Sequence, residues 1–129
     1  MGPKQVQQCL VDYRRSPTFG YLLEKYKKLF PHIENDVAAT LSDARLNYRP
    51  ARHARAMLHF NGTVFKYRVM CSDQGRGTRG GFRLIAFYDQ TTNTLYPIFM
   101  YPKSEKADIE DEEVDRCLTE LQEALTNSN

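Results

Sequence analysis

Two apolar runs that stand close together late in the chain most constrain the fold. Residues 82–88 and 94–101 are rich in aliphatic and aromatic side chains, and the polar loop 89–93 separates them. Short runs of this kind, bounded by turn residues, are typical of buried strands. A third run, residues 63–71, alternates between apolar and polar positions with a period of two. The three runs predict a small antiparallel sheet of hairpin-connected strands.

Helical patterns lie on either side of this sheet in the sequence. Ser16-Pro17-Thr18 is a helix-start signature, and apolar residues follow it at helical spacing as far as Leu29. After the break at Phe30-Pro31, a second amphipathic segment predicts an antiparallel helical hairpin. The acidic residues near Glu110 predict the start of a third, C-terminal helix. The apolar stripe of the second helix comprises Ile33, Val37, Leu41 and Ala44.

The predicted order is β-α-α-β-β-β-α, an α+β fold in which helices cover one face of the sheet and leave the other open. The first strand is expected within residues 8–15, and residues 51–60 form a short basic helical turn or a loop. Pro97 predicts an edge, a bulge or a gap in its strand. The length of 129 residues indicates a single domain, 1–129, with frayed ends at 1–7 and 126–129.

The composition excludes several classes of protein. The apolar runs are too short to span a membrane, and the N-terminus lacks the apolar segment of a secretory signal. Three widely spaced cysteines, Cys9, Cys71 and Cys117, indicate reduced thiols in a cytoplasm. None of the three histidines has metal-ligand spacing, so no metal is expected. His53 and His59 are either surface histidines or aids to proton transfer.

Charge is distributed unevenly, although the formal net charge is only +2. Residues 1–103 carry 16 Lys and Arg against 7 Asp and Glu, whereas residues 104–129 carry 2 against 9. Between residues 45 and 83, nine cations stand against the single acid Asp73. Such a segment is either solvated surface charge or a surface that binds an external anion. A polyanionic backbone is the most common partner of this kind.

Cations recur on one face of the predicted sheet. Lys66 and Arg68 are two residues apart on one strand, and the next strand offers Arg83. Like charges opposite each other across strands are destabilising, so these residues are either scattered solvated charges or part of an open face that meets phosphate.

The glycine-rich loop 75–81 formally matches the dinucleotide-binding pattern G-x-G-x-x-G. It leads into a strand, whereas a dinucleotide site needs a helix there, so no small-molecule cofactor is expected. Arg76 and Arg79 within the loop are candidates for a backbone-phosphate clamp. A flexible hairpin connection is the alternative.

Four segments together resemble the RelE/ParE superfamily of bacterial type II toxin–antitoxin modules, and within it the RelE/HigB-type mRNA endonucleases. They are Phe65-Lys66-Tyr67-Arg68, the loop 75–81, Phe82-Arg83-Leu84-Ile85, and the run from Tyr101 to Asp108 (Tyr-Pro-Lys-Ser-Glu-Lys-Ala-Asp). The resemblance covers about residues 9 to 125. Some relatives use a tyrosine near the last helix, and the segment from Glu110 to Cys117 has none.

The resemblance implies a cytoplasmic, metal-independent endoribonuclease that cuts mRNA on the ribosome by attack of a 2′-hydroxyl on the neighbouring phosphate. By position it implies that Lys66 and Arg68 contact RNA and assist proton transfer, and that Arg83 braces the scissile phosphate. It also implies a cognate antitoxin protein as partner. RNA-binding roles at the rim of the site fall to Arg76, Arg79, Lys103, Lys106 and Tyr101.

Two other functions remain open from the sequence. One is a ParE-like toxin that inhibits gyrase without cutting RNA, although gyrase binding does not require a phosphate-bracing site. The other is a catalytically silent relative that only binds its antitoxin or nucleic acid.

Overall fold

The computed structural model describes residues 8–46, 48, 54–74 and 80–127. Arg76 and Arg79 of the predicted phosphate clamp lie outside this part of the chain, as do His53 and residues 1–7, 128 and 129. The C-terminal helix extends to Asn127, two residues into the segment that the sequence predicted to be frayed.

The fold is α+β, as the sequence predicted. Three helices, α1 (Pro17–Lys27), α2 (Ile33–Leu46) and α3 (Asp111–Asn127), accompany a five-stranded sheet. The sheet order is β1-β5-β4-β3-β2, and all pairings are antiparallel except β1 with β5. A short 3₁₀ turn, Ser72–Gln74, follows β3. The strands are β1 (Leu10–Val11), β2 (Ala54–Ala56), β3 (Val64–Val69), β4 (Phe82–Asp89) and β5 (Thr94–Pro102).

The helical hairpin forms for the reasons visible in the sequence. The Ser16 hydroxyl accepts a hydrogen bond from the Phe19 amide at 3.4 Å, which caps the first turn of α1, and Pro17 occupies the position where a missing amide costs nothing. The predicted stripe of α2 is buried. Both helices cover the sheet face that carries Phe65 and Tyr67, because α1 contacts β5 and α2 contacts β3.

The strand β2 was missed by the sequence analysis, which predicted a helical turn or a loop. It pairs with β3 so that Arg55 lies opposite Lys66. The connection to β3 contains three residues with positive φ, which is 72° at His59, 53° at Asn61 and 71° at Gly62. This turn folds Ala54–Ala56 back onto β3, so pairing rather than intrinsic preference makes it a strand.

Pro97 lies at a bulge in β5, one of the three outcomes that the sequence predicted. Ile85 is opposite Phe99 but Ala86 is opposite Pro97, so Ile98 is an extra residue on β5. A proline is tolerated there because the ladder of backbone hydrogen bonds is already interrupted.

The second face of the sheet is only partly open, since Arg68 is exposed there but its neighbours are buried, so the prediction of an uncovered face was wrong for part of it. The helix α3 contacts both β5 and α1, and Thr18 of α1 donates a hydrogen bond to Glu120 of α3. On this second face Ile85 and Tyr101 are buried. In the described part of the chain, no helix is both long enough and apolar enough to cross a membrane. The three cysteines are free and buried.

Candidate nucleic-acid interface

A row of three polar side chains crosses the second face of the sheet. Arg68 on β3 is the register partner of Arg83 on β4, and Arg83 is in turn the partner of Tyr101 on β5. Partners across strands point to the same face, so the structure brings these three predicted site residues together. Lys66 lies two residues from Arg68 and therefore shares this face. Only Arg68 in the row is exposed.

Arg83 is held in place by its surroundings. Its side chain is 7% exposed, and its Nη1 donates to the carbonyl oxygens of Gly80 and Phe82 at 3.2 and 3.3 Å. Burial, reinforced by the charge of Arg68, lowers the pKa of Arg83 below its usual value. A buried guanidinium beside another guanidinium is an arrangement that an anion would stabilise.

Gly81 fixes the start of β4 next to this arginine. Its φ is +44°, and a Cβ at this position would lie 2.1 Å from the carbonyl oxygen of Val69. Only glycine therefore fits where the chain enters β4. The carbonyl of Gly81 accepts the amide of Lys103, which ties the end of β5 to the same corner.

Tyr101 carries a hydroxyl that is buried and makes no hydrogen bond among the described residues. Burial, with the nearby charge of Asp108, raises the pKa of Tyr101 to about 12, although Arg83 and Arg55 oppose this shift. The phenol is therefore protonated at neutral pH and can donate a hydrogen bond. A buried polar group without a partner is rare enough to indicate a role beyond packing.

Lys66 has an acidic partner that the sequence analysis did not foresee. Its Nζ lies 2.6 Å from Oδ1 of Asp108, in the linker between β5 and α3. The hydrogen bond from Lys66 lowers the pKa of Asp108. The excess of cations over acids in residues 45–83 therefore does not leave Lys66 unpaired. Lys106 of the linker also has an acidic partner, since its Nζ lies 3.1 Å from Oε1 of Glu113.

The other basic residues of the linker lie beside the row. The ammonium group of Lys106 is 5.3 Å from the ring centre of Phe99 and 5.9 Å from that of Tyr101. Lys103 is exposed, and its Nζ donates to the carbonyl of Ala107 at 3.2 Å. Both lysines thus lie at the rim, where the resemblance placed RNA-binding roles, and those roles stay a prediction.

Two further groups lie near the row: Arg55, which was not a predicted site residue, and His59, which the sequence predicted to be either a surface histidine or an aid to proton transfer. Arg55 was counted among the cations of the basic segment, but its place opposite Lys66 depends on the unpredicted strand β2. The ring Nδ1 of His59 lies 2.8 Å from the carboxylate of Asp111 at the start of α3. The contact of His59 with Asp111 joins residues 52 positions apart, and no local sequence pattern reveals it.

A separate acidic cluster on the helical side is explained by hydrogen bonds within the protein. Ligand atoms of Asp36, Cys71 and Asp73 lie within 4.8 Å of one another. Asp73 accepts the backbone amide of His32 and hydrogen-bonds its ring, while Asp36 accepts the amide and hydroxyl of Ser72. The two carboxylates therefore tie the start of α2 to the turn after β3.

The fold and this surface define a small α+β domain whose sheet presents a row of basic and phenolic groups. A comparison with protein families is more specific, because residues 32–128 match the family described as the RelE toxin of the RelE/RelB toxin–antitoxin system. The chain belongs to the RelE toxin family. It is therefore the toxin of a toxin–antitoxin system, and its family implies an antitoxin partner. A comparison with curated proteins finds no match.

Proposed function

We propose that this toxin is an endoribonuclease that stops translation by cutting mRNA on the ribosome. Toxins of the RelE family are generally endoribonucleases, which supports the reaction class. The observation that carries the proposal is the row Arg68–Arg83–Tyr101, which sets two cations and a protonated phenol side by side across three strands. Such a row suits a phosphate whose negative charge grows during reaction.

The proposed reaction needs neither a metal ion nor an added water molecule. The 2′-oxygen of a ribose attacks the adjacent phosphorus, and the bond from phosphorus to the 5′-oxygen breaks. The 2′-hydroxyl gives up its proton and the departing 5′-oxygen takes one. The products are a 2′,3′-cyclic phosphate and a free 5′-hydroxyl end, so the chemistry of the ends identifies the mechanism.

The burial of each residue suggests its part in this reaction. Arg83 is buried and held by two carbonyl groups, so its guanidinium is ready to brace the phosphate without first becoming ordered. Arg68 is exposed beside it and adds a second cation. The Tyr101 hydroxyl lacks a partner among the described residues and supplies a neutral donor. We assign Lys66 to RNA contact and proton transfer.

The remaining basic residues extend the RNA path in this proposal. Lys103 and Lys106 line one side of the row, and Arg76 and Arg79 belong to the loop that precedes β4. Phosphate contacts release counterions, so binding should weaken steeply as salt rises. The antitoxin would protect the cell by neutralising this basic face or by displacing α3. We place the toxin in the cytoplasm, where ribosomes and mRNA are found.

A reconstituted bacterial translation reaction tests the proposal. Wild-type toxin is expected to cut the message only when ribosomes translate it, and primer extension locates the cuts. Arg68→Ala should lower the cleavage rate on the order of 10²-fold, because one donor to the transition-state oxyanion is lost. Arg68 is exposed, so this substitution leaves the core intact. The matched control is Arg45→Ala, an exposed arginine in the last turn of α2, which should cut at the wild-type rate.

Two outcomes would contradict this function. Growth arrest with intact mRNA and inhibited gyrase would favour the gyrase-directed alternative. A protein that binds its antitoxin or nucleic acid but neither arrests growth nor cuts RNA would be the silent relative. If Arg68→Ala and the wild type cleave mRNA at equal rates, the row is not the active site, although the toxin is still an endoribonuclease.

A further inference from the structure

A cleft lies beside Lys66, between β2 and the start of α3. Its volume is about 470 Å³. The strand β2 and the turn after it form one wall, and the linker before α3 forms the other. Arg55 and Lys66 lie opposite each other across the β2–β3 pair, and both line this cleft. Because Lys66 is two residues from Arg68, the basic residues of the cleft and the row lie on the same face of the sheet.

The carboxylate of Asp108 occupies the basic end of this cleft. It accepts hydrogen bonds from Lys66 Nζ at 2.6 Å and from the amide of Ile109 at 2.9 Å. The Lys66 side chain is 12% exposed, whereas that of Asp108 is 64% exposed. The ammonium group is thus fixed in the protein wall, and the carboxylate reaches it from the solvent side. Because the Asp108 side chain is largely exposed, another anion can reach the ammonium group from the same side and replace the carboxylate.

We propose that Lys66 and Arg55 form a binding site for a phosphate of the RNA backbone, and that Asp108 fills this site as an internal substitute until RNA displaces it. The inference rests on the proposed function, since it concerns a neighbouring phosphate of the same RNA chain. An isolated anion gains little over the tethered carboxylate. A polyanion that also contacts the row gains several contacts at once, so the exchange favours nucleic acid over small anions.

The experiment measures binding of the full-length toxin to a single-stranded oligoribonucleotide of mixed sequence with 2′-O-methyl groups throughout. This probe lacks the attacking hydroxyl and cannot be cut. Asp108→Asn removes the negative charge and keeps an oxygen that can accept the Ile109 amide. We expect it to bind the probe about three- to tenfold more tightly than wild type, because the competing anion is gone. The slope of log affinity against log salt should steepen by up to about 0.7, the value for one phosphate contact with a single strand.

Two further variants distinguish the loss of the contact between Asp108 and Lys66 from a general change in the net charge of the protein. Glu112→Gln removes the same charge at an exposed position in the first turn of α3, and it should change affinity less than Asp108→Asn. In a Lys66→Gln background, Asp108→Asn should give no gain, because the site that it unblocks has lost its ammonium group.

The inference is overturned if Asp108→Asn binds the probe no more tightly than wild type, or more weakly, since Asp108 would then only orient Lys66. It is also overturned if Glu112→Gln matches the gain. The reconstituted translation reaction separates this failure from that of the proposed function. If the wild-type toxin cuts mRNA but Asp108→Asn binds the probe no more tightly, only the role of Asp108 as a substitute anion is rejected. If Asp108→Asn binds more tightly but the wild-type toxin does not cut mRNA, only the nuclease function is rejected.

Discussion

The two faces of the central sheet come from the same strands but serve different ends. On the helical face Phe65, Tyr67 and Leu84 are buried beneath α1 and α2, and all three side chains contribute to the hydrophobic core. On the other face Arg68 and Arg83 lie opposite each other and Tyr101 buries a hydroxyl without a partner in the described structure. Cross-strand repulsion and an unpaired donor both cost stability. The second face is therefore less stable than a core would be, and this difference supports our proposal that it is the working surface, the face that binds RNA.

The largest expected effect comes from the helical face. Leu84 is fully buried, and Leu84→Ala should lower the free energy of unfolding by about 2–5 kcal/mol, because it removes apolar contacts and leaves a cavity. Arg68→Ala, one sheet face away, should change it by no more than about 0.5 kcal/mol. Urea unfolding of both variants provides the measurement. Similar losses from the two substitutions would show that the faces do not differ as described.

A pair of buried tyrosines offers a finer comparison. Tyr67 on the helical face donates its hydroxyl hydrogen to the carbonyl of Tyr48, whereas the Tyr101 hydroxyl lacks a partner in the described structure. Tyr67→Phe should cost about 1 kcal/mol of stability and leave cleavage unchanged. Tyr101→Phe should keep or raise stability and slow cleavage on the order of tenfold. Thermal unfolding and single-turnover cleavage distinguish the two. Reduced stability with unchanged cleavage in Tyr101→Phe would make its hydroxyl structural.

The smallest expected effect concerns a charged contact remote from the working surface. The hydrogen bond between His32 and Asp73 raises the pKa of His32 and lowers that of Asp73. The stabilisation that protonated His32 gives the folded protein is complete below the pKa of about 6.5 that histidine has in the unfolded chain. It disappears as pH rises through the higher pKa that His32 has in the folded protein. The aspartate contribution is present above about 3.8 and disappears as pH falls through the lower folded pKa. The pair therefore stabilises most between these limits.

Asp73→Asn tests this pH dependence. Between pH 5.5 and pH 8.5 the wild-type melting temperature should fall as His32 loses its proton and with it the stabilising contact to Asp73. The melting temperature of the variant should fall less over the same range. The pKa of His32, followed by NMR titration of its ring, should return towards the ordinary histidine range. Cleavage should be unaffected, because the contact lies on the helical side. An unchanged titration of His32 would rule out the pairing in solution.

Much of the helical face was predictable because its signals are local. The hydroxyl cap at Ser16, the stripe of α2 and the alternation of β3 each need only a few neighbouring residues. The missing amide of Pro97 predicted an irregularity in its strand, and a bulge was one of the three alternatives it left open. The placement of Lys66 and Arg68 on one face followed from period-two spacing, and the neighbouring hairpin strand offered Arg83 to that face.

The rest depended on long-range contacts. Ala54–Ala56 has no strand-forming side chains and becomes a strand only by pairing with β3. The pairing of Lys66 with Asp108 joins residues 42 positions apart, and the position of α3 over the second face depends on contacts with β5 and α1. A count of charges within residues 45–83 could not reveal a neutralising acid that the fold brings in from the linker.

The extra residue in β5 has a consequence for how such a surface changes over time. Before the bulge, Pro97 is opposite Ala86; after it, Tyr101 is opposite Arg83. If Ile98 were instead paired with Ile85 and β5 formed no bulge, each later residue would stand opposite the next position along β4, and Met100 would lie opposite Arg83. The bulge thus decides whether an arginine meets a phenol or a thioether, a change of chemistry made without substituting either side chain.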